Sequence, residues 1–218
     1  MSRDLVPRHG RGRHEPPPNH AEQLAQRDEA TVDTAVDLVP EHGRSSQHNA
    51  GVSVHAIVLA AGASSRYGTT PPKQAVLLPR VLAALREAST LDGILVVLGA
   101  HELATDVATV RCPDWELGPG ASLRCGLATL PADTEAALVV LADGPDLDPR
   151  AIDRVVASWR ARGGDVLAAS YGGVRLHPVL LARRAWELVP DAGARSVHAQ
   201  LVPCDDLRPP GDVDARDS

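Results

Sequence analysis

The residues with the clearest chemistry form the string Leu59-Ala60-Ala61-Gly62-Ala63-Ser64-Ser65-Arg66-Tyr67-Gly68. Gly62 has no side chain, so the backbone there can approach a ligand closely. Successive backbone N–H groups in such a turn make a nest suited to phosphate oxygens, and Arg66 adds a planar fork that matches them in pairs. Lys73 follows Thr69-Thr70-Pro71-Pro72 and can neutralise a second phosphate group. It is the only lysine among the 22 Lys and Arg residues of the chain. Where arginine serves every other basic position, a lysine points to a need for a compact, mobile ammonium. The glycine spacing is neither a dinucleotide fingerprint nor a Walker loop. These residues alone indicate phosphate binding and leave the ligand open.

The elements that must hold them alternate between strand and helix. His55–Ala60, Gly93–Gly99 and Ala136–Ala142 are aliphatic runs that read as buried strands. Val76–Ala88, Ala121–Leu130 and Pro149–Ala161 have helical spacing, with Ser122 placed to cap the second and Pro149 in the first turn of the third. Asp165–Ala169 and Val179–Leu181 are further short strands. This order predicts βαβ units and a three-layer α/β/α single domain around a mostly parallel, Rossmann-like sheet. Ligands of such sheets bind beyond the carboxyl ends of the strands, where the Gly62 turn and Asp143 both fall.

Composition narrows the class. With 44% hydrophobic but only 2% aromatic residues and no Phe, the core must be aliphatic, as suits a parallel sheet covered on both faces. A net charge of -6 argues against non-specific nucleic-acid binding, which needs a basic face, yet leaves room for a locally positive pocket. Cys112, Cys125 and Cys204 have no metal-ligand spacing, and Cys125 reads as a small core residue. No apolar run of about 18 residues and no signal-type h-region occurs, so neither membrane nor export is expected and the compartment is the cytoplasm. Residues 1–52, rich in Arg, His, Pro, Glu and Gln, read as a disordered N-terminal tail with irregularly spaced histidines. Residues 53–218 form the domain, and the roughly 160 residues from Val54 onward are enough to bury about two thirds of their unfolded surface.

The whole string, Leu-Ala-Ala-Gly-x-Ser-x-Arg-x-Gly followed by Lys73, resembles the signature of nucleotidyltransferases that pass a nucleoside monophosphate to a phosphorylated acceptor. Trp115, Gly118, Ser122, Leu123 and Gly126 are similar to that family's W-x-x-G-x-x-x-S-L-x-x-G segment, and Leu141-Ala142-Asp143-Gly144-Pro145 to its L-A-D-x-P. His177-Pro178-Val179, Asp191-Ala192-Gly193-Ala194-Arg195 and Asp212-Val213-Asp214 follow in the family's order. Together they resemble the MobA-like NTP transferase family, and within it the molybdenum cofactor cytidylyltransferases.

The resemblance implies attack of an acceptor phosphate on the α-phosphorus of a nucleoside triphosphate, with release of pyrophosphate. It makes Asp143 the main Mg²⁺ ligand, with Mn²⁺ as a substitute, and Asp214, with Asp212, the source of a second carboxylate. Arg66 and Lys73 hold the triphosphate, beside the backbone of Leu59, Ala60, Ala61 and Gly62. Gly120, Ala121 and Ser122 lie near the nucleobase, and His177 near the acceptor. In this family Leu-Ala-Ala-Gly accompanies CTP and Leu-Ala-Gly-Gly accompanies GTP, so Ala61 favours CTP. The implied partners are the triphosphate, a small phosphorylated acceptor such as molybdopterin, and a molybdoenzyme-maturation partner.

The chain departs from the family at three places. Lys73-Gln74-Ala75 passes almost directly into Val76-Leu77-Leu78, without the usual short hairpin. Leu176 stands where relatives often have Gly, and Ala215-Arg216 replaces the usual closing Thr-Pro. These departures leave two alternatives beside the first: a catalytically silent nucleotide- or partner-binding module, and a sugar-phosphate or isoprenoid-type cytidylyltransferase. A glycosyltransferase using Asp143 ranks lower, because Arg66 and Lys73 suit a triphosphate better than a sugar diphosphate.

Overall fold

The structure is a computed structural model that describes residues 52–63 and 71–211. The tail expected over residues 1–52 therefore lies, except for Val52, outside the described residues, as do Arg66, Asp212 and Asp214. The strands are β1 (Ser53–Ala60), β2 (Gly93–Leu98), β3 (Ala108–Arg111), β4 (Thr134–Leu141), β5 (Val166–Tyr171), β6 (Val174–Ala182) and β7 (Gln200–Pro203). The helices are α1 (Lys73–Glu87), α2 (Pro119–Thr129) and α3 (Pro149–Arg162), with 3-10 turns at Trp115–Leu117, Arg183–Leu188 and Ala194–Ser196.

All seven strands join one sheet in the order β3-β2-β1-β4-β6-β5-β7. β1 pairs in parallel with β2 on one side and β4 on the other, so Ala56 lies opposite both Ile94 and Leu138. β6 alone runs against its neighbours β4 and β5, which makes the sheet mostly parallel.

The two-residue alternation of a strand sorts the core into two layers. Val54, Ala56, Val58 and Ala60 face Leu78, Val81, Leu82 and Leu85 of α1 and Ile152, Val155, Val156 and Trp159 of α3. Ile57, Val97 and Val139 face Leu123 and Leu127 of α2 on the other side. The α/β/α expectation holds, and the crossovers explain it. β1 returns to β2 through α1, whereas β3 returns to β4 through α2 on the opposite face. Between β1 and β4 the order therefore reverses, and such a reversal leaves a crevice at the strands' carboxyl ends.

Local sequence sets the helix ends. The Asp148 carboxylate accepts from the Arg150 N–H at 2.9 Å and caps α3, with Pro149 at its first turn. α1 begins at Lys73 itself, three residues before the expected Val76, which puts the lysine in a helical turn rather than a loop. α2 begins at Pro119 behind Gly118, whose φ of 119° favours glycine. Ser122 is therefore inside the helix and buried, not its cap as the sequence predicts.

Gly126 lets α2 press on the sheet. A Cβ there would meet Val97 Cγ2 at 2.8 Å and Ile57 Cγ2 at 3.1 Å. Gly126→Val is expected to destabilise the fold by about 2 kcal/mol through overpacking, read as a lower midpoint in urea unfolding. An unchanged midpoint would show that the layer yields without strain.

Candidate functional site

The crevice between β1 and β4 brings together the Gly62 turn, Lys73 and Asp143 among the residues that the sequence marks for chemistry. At the end of β1, Leu59, Ala60 and Ala61 run into the exposed Gly62. The Ala61 carbonyl accepts from the Ala100 N–H at 3.1 Å, which ties the start of the turn to the end of β2. Gly99 permits this closeness, since a Cβ on it would meet the Ala61 oxygen at 2.6 Å. Gln74 Nε2 donates to the Gly62 carbonyl at 2.9 Å, and the His101 ring contacts the Ala63 carbonyl at 3.0 Å. Residues 61–63 are thus held from α1 and from the segment after β2.

Lys73 opens α1 with its side chain buried, and Nζ donates to Asp143 Oδ2 at 3.1 Å. The Asp143 carboxylate, just past β4, is 32% exposed. A buried ammonium needs such a partner, because its desolvation is expensive and an opposite charge at contact compensates. The carboxylate keeps one side open to a cavity of about 260 Å³, which is lined by apolar groups of β4, Leu147, Leu176, Pro209 and Pro210 together with His177, Arg195 and Gly211.

His177 reaches this cavity from β6, next to the reversed strand pairing. Its Nδ1 lies 3.1 Å from the Val139 carbonyl. A carbonyl can only accept, so Nδ1 carries the proton and the neutral ring presents Nε2 as an acceptor. Burial pushes the imidazole down to about 4, with Arg195 and Arg175 adding to the effect and the Val139 carbonyl and Asp143 opposing it. A ring of that basicity is neutral at pH 7, with Nδ1 donating to Val139 and Nε2 able to accept one hydrogen bond.

Gly120 and Ser122 lie at the start of α2, on the same edge of the sheet but outside the cavity lining. The Gly120 N–H donates to the Asp191 carbonyl at 2.9 Å, and a Cβ at Gly120 would meet the Pro190 oxygen at 2.0 Å. Arg124 adds bonds to the Val189 carbonyl and the Asp191 carboxylate. The glycine here serves close packing against the Pro190–Asp191 turn. Burial, with Cys112 beside it, pushes the Cys125 thiol up to about 12, which keeps it protonated at neutral pH.

Among the described residues, no three His, Cys, Asp or Glu side chains gather as a metal centre. Asp143 offers a hard, partly exposed oxygen donor. The chain arrives beside it at Gly211, since both Pro210 and Gly211 approach Gly144 closely, and Asp212 comes next in the sequence. One or two carboxylates plus ligand oxygens is the donor set that Mg²⁺ takes. The fit is chemical; Asp212 and Asp214 lie outside the described residues.

Sequence reasoning left two residues of the site unassigned. Arg195 lines the cavity. Arg175 donates to the carbonyls of Ala194 at 2.8 Å and of Arg195 and Val197, and so fixes the turn that carries Arg195. Both are arginines in an arginine-rich chain, and only the Asp191–Arg195 string hinted at either.

With the geometry in place, comparison with known proteins gives a consistent result. The family model of the MobA-like NTP transferase domain matches residues 56–204. No curated protein matches the chain. The crystal structure of the Rv0371c homologue from Mycobacterium sp. strain JC1 is similar at 24% identity and a TM-score of 0.61, over 74% of this chain and 90% of that one. Rv0371c from Mycobacterium tuberculosis H37Rv is similar at 26% identity and a TM-score of 0.60, over 75% and 94%. A structure of that protein in complex with manganese matches at 24% and 0.52, over 70% and 87%.

The state of His177 is directly checkable. Its ring resonances are expected to titrate near pH 4 in the native protein, well below the ordinary 6.5. Because the folded value is the lower one, the unfolded chain binds this proton more readily. The stability contribution of neutral His177 is therefore complete above pH 6.5 and is lost as pH falls through about 4. Titration near 6.5 would mean that the ring is solvated.

Proposed function

The chain belongs to the MobA-like NTP transferase domain family, and from that membership we propose that it transfers a nucleoside monophosphate, CMP favoured, from a triphosphate to a small phosphorylated acceptor. The observation that supports this most is the ion pair of Lys73 and Asp143 at the crevice between β1 and β4, beside the Gly62 turn. A cation donor and a carboxylate already in contact can each exchange partner when a metal-bound triphosphate arrives, the ammonium for phosphate oxygen and the carboxylate for the metal.

In the proposed reaction an oxygen of the acceptor phosphate bonds to the α-phosphorus. The bond from that phosphorus to the bridging oxygen breaks, and its electron pair leaves with pyrophosphate. The acceptor oxygen is already anionic, so no side chain has to remove a proton, and catalysis is positioning plus charge stabilisation. Arg66 and Lys73 hold the triphosphate, with the Leu59–Gly62 backbone beneath it. Asp143, with Asp212 and Asp214, holds Mg²⁺ or, in its place, Mn²⁺. When bound, the ion neutralises phosphate oxygens and polarises the phosphorus under attack. Ala61 favours cytosine, and Gly120 and Ser122 border the base. Molybdopterin is the leading acceptor, with a molybdoenzyme-maturation partner downstream and the cytoplasm as the compartment. No helix among the described residues is long and apolar enough to cross a membrane.

Calorimetric titration tests this. With Mg²⁺ present, CTP is expected to bind more tightly than GTP. Asp143→Asn and Lys73→Met are each expected to weaken CTP binding about 10- to 100-fold, as loss of a charge-assisted contact does. No saturable triphosphate binding, or full affinity in Asp143→Asn, would overturn the proposal. Binding without pyrophosphate release from any phosphorylated acceptor would mark the silent module instead.

A further inference from the structure

Asp143 has two unlike sides. Toward β1 lie the Gly62 turn and Lys73; toward β6 lies the 260 Å³ cavity. Among the described residues that line the cavity, the only formal charges are the Asp143 carboxylate and the Arg195 guanidinium. His177 adds a polar but neutral ring edge, and Val140, Leu147, Leu176, Pro209 and Pro210 make the rest of the wall largely apolar. Arg195 is exposed, and its side chain makes no hydrogen bond or ion pair among the described residues. Its backbone, by contrast, is firmly held: Arg175 binds three carbonyls of its turn, and the Gly193 N–H donates to Pro190 at 2.8 Å. A rigid turn that carries an uncommitted guanidinium into an apolar cavity is what a phosphate or carboxylate anchor requires.

We infer that Arg195 binds the phosphate of the second substrate, so that this cavity takes a compact phosphomonoester on the far side of Asp143 from Lys73. The inference rests on the proposed transferase reading, which needs two polyanions brought to one carboxylate from different directions. Lys73 serves the triphosphate side, and a second cation is needed across from it to offset repulsion between the two. Size sets the class of ligand. Cavities for drug-sized molecules run to about 300–1,000 Å³, and this one, open on one side, lies just under that range, so the part of the phosphomonoester that enters it is small. The apolar wall favours a flat or weakly polar body, and His177 Nε2 can accept one hydrogen bond from it. Arg175 is a positioning residue, which acts on the ligand only through the turn it holds.

The test uses inorganic phosphate as the probe, titrated into the full chain first alone and then saturated with Mg²⁺ and a CTP analogue blocked between the α- and β-phosphates. Wild type is expected to bind phosphate in both states. Arg195→Gln is expected to weaken phosphate binding about tenfold or more, while its affinity for the CTP analogue stays within about twofold. Arg195→Lys should restore part of the loss, because it returns the charge but not the fork. Arg175→Met should copy the Arg195→Gln phenotype; if it does not fold, the Arg195 pair alone decides. Equal phosphate affinity in Arg195→Gln, or a parallel loss of CTP-analogue affinity, would overturn the inference. So would the absence of saturable phosphate binding by wild type up to about 10 mM. Failure of CTP binding in wild type, with phosphate still bound through Arg195, would instead overturn the transferase reading and leave the anion site standing.

Discussion

Lys73 and Asp143 lie 70 positions apart in the chain, yet Nζ and Oδ2 meet at 3.1 Å in the crevice of the sheet. Burying an ammonium is expensive, and the contact with Asp143 helps to compensate for it there. That contact exists only because β1 and β4 are parallel neighbours in register from Val54 to Leu59, so that the loops after both strands open at the same edge. The aliphatic layers on either face fix this register, since a slip of one residue would exchange the α1-facing and α2-facing sets of β1. The core thus determines where a single pair of charges can meet, and the proposed chemistry depends on that pair.

The reversal of β6 gives the site its second side. A strand running with the sheet would carry His177 to a different height along β4. Running against it, β6 lays Val179 opposite Val139 and leaves His177 bonded to the Val139 carbonyl at the cavity wall. The ring stays neutral because burial and two arginines oppose its charge. A neutral ring does not compete with Arg195 for an anion. Among the described residues, formal charge at the cavity wall is confined to one carboxylate and one guanidinium, set in a largely apolar lining.

Much of this was legible in the residues. The aliphatic runs of β1, β2 and β4 gave away a buried parallel sheet. Asp143 stood out at the end of such a run, and Lys73 as the only lysine of the chain, a few residues after the Gly62 string. Other features carried no signal. An aliphatic run such as Val179–Leu181 has no direction, so the reversal of β6 could not be read from it. β3 and β7 are four-residue edge strands, partly exposed, with too few apolar residues to stand out. Ser122 looked like a cap because Pro119 and Gly120 mask the true start of α2, where Gly118 takes a conformation that needs no side-chain cap. Arg195 was hidden by abundance: in an arginine-rich chain, only the fold shows which guanidinium faces a cavity. The nesting of phosphate by the Gly62 turn stays at the level of sequence, as do Arg66, Asp212 and Asp214.

In the proposed reaction Asp143 and the triphosphate share one divalent cation. Electron paramagnetic resonance of Mn²⁺ added to the protein with CTP tests it most directly, because ³¹P couplings report phosphate oxygen bound to the ion. A protein-bound Mn²⁺ signal with ³¹P couplings is expected in wild type, and its loss in Asp143→Asn at the same concentrations. An undiminished signal in Asp143→Asn, or bound Mn²⁺ without ³¹P coupling in wild type, would contradict it.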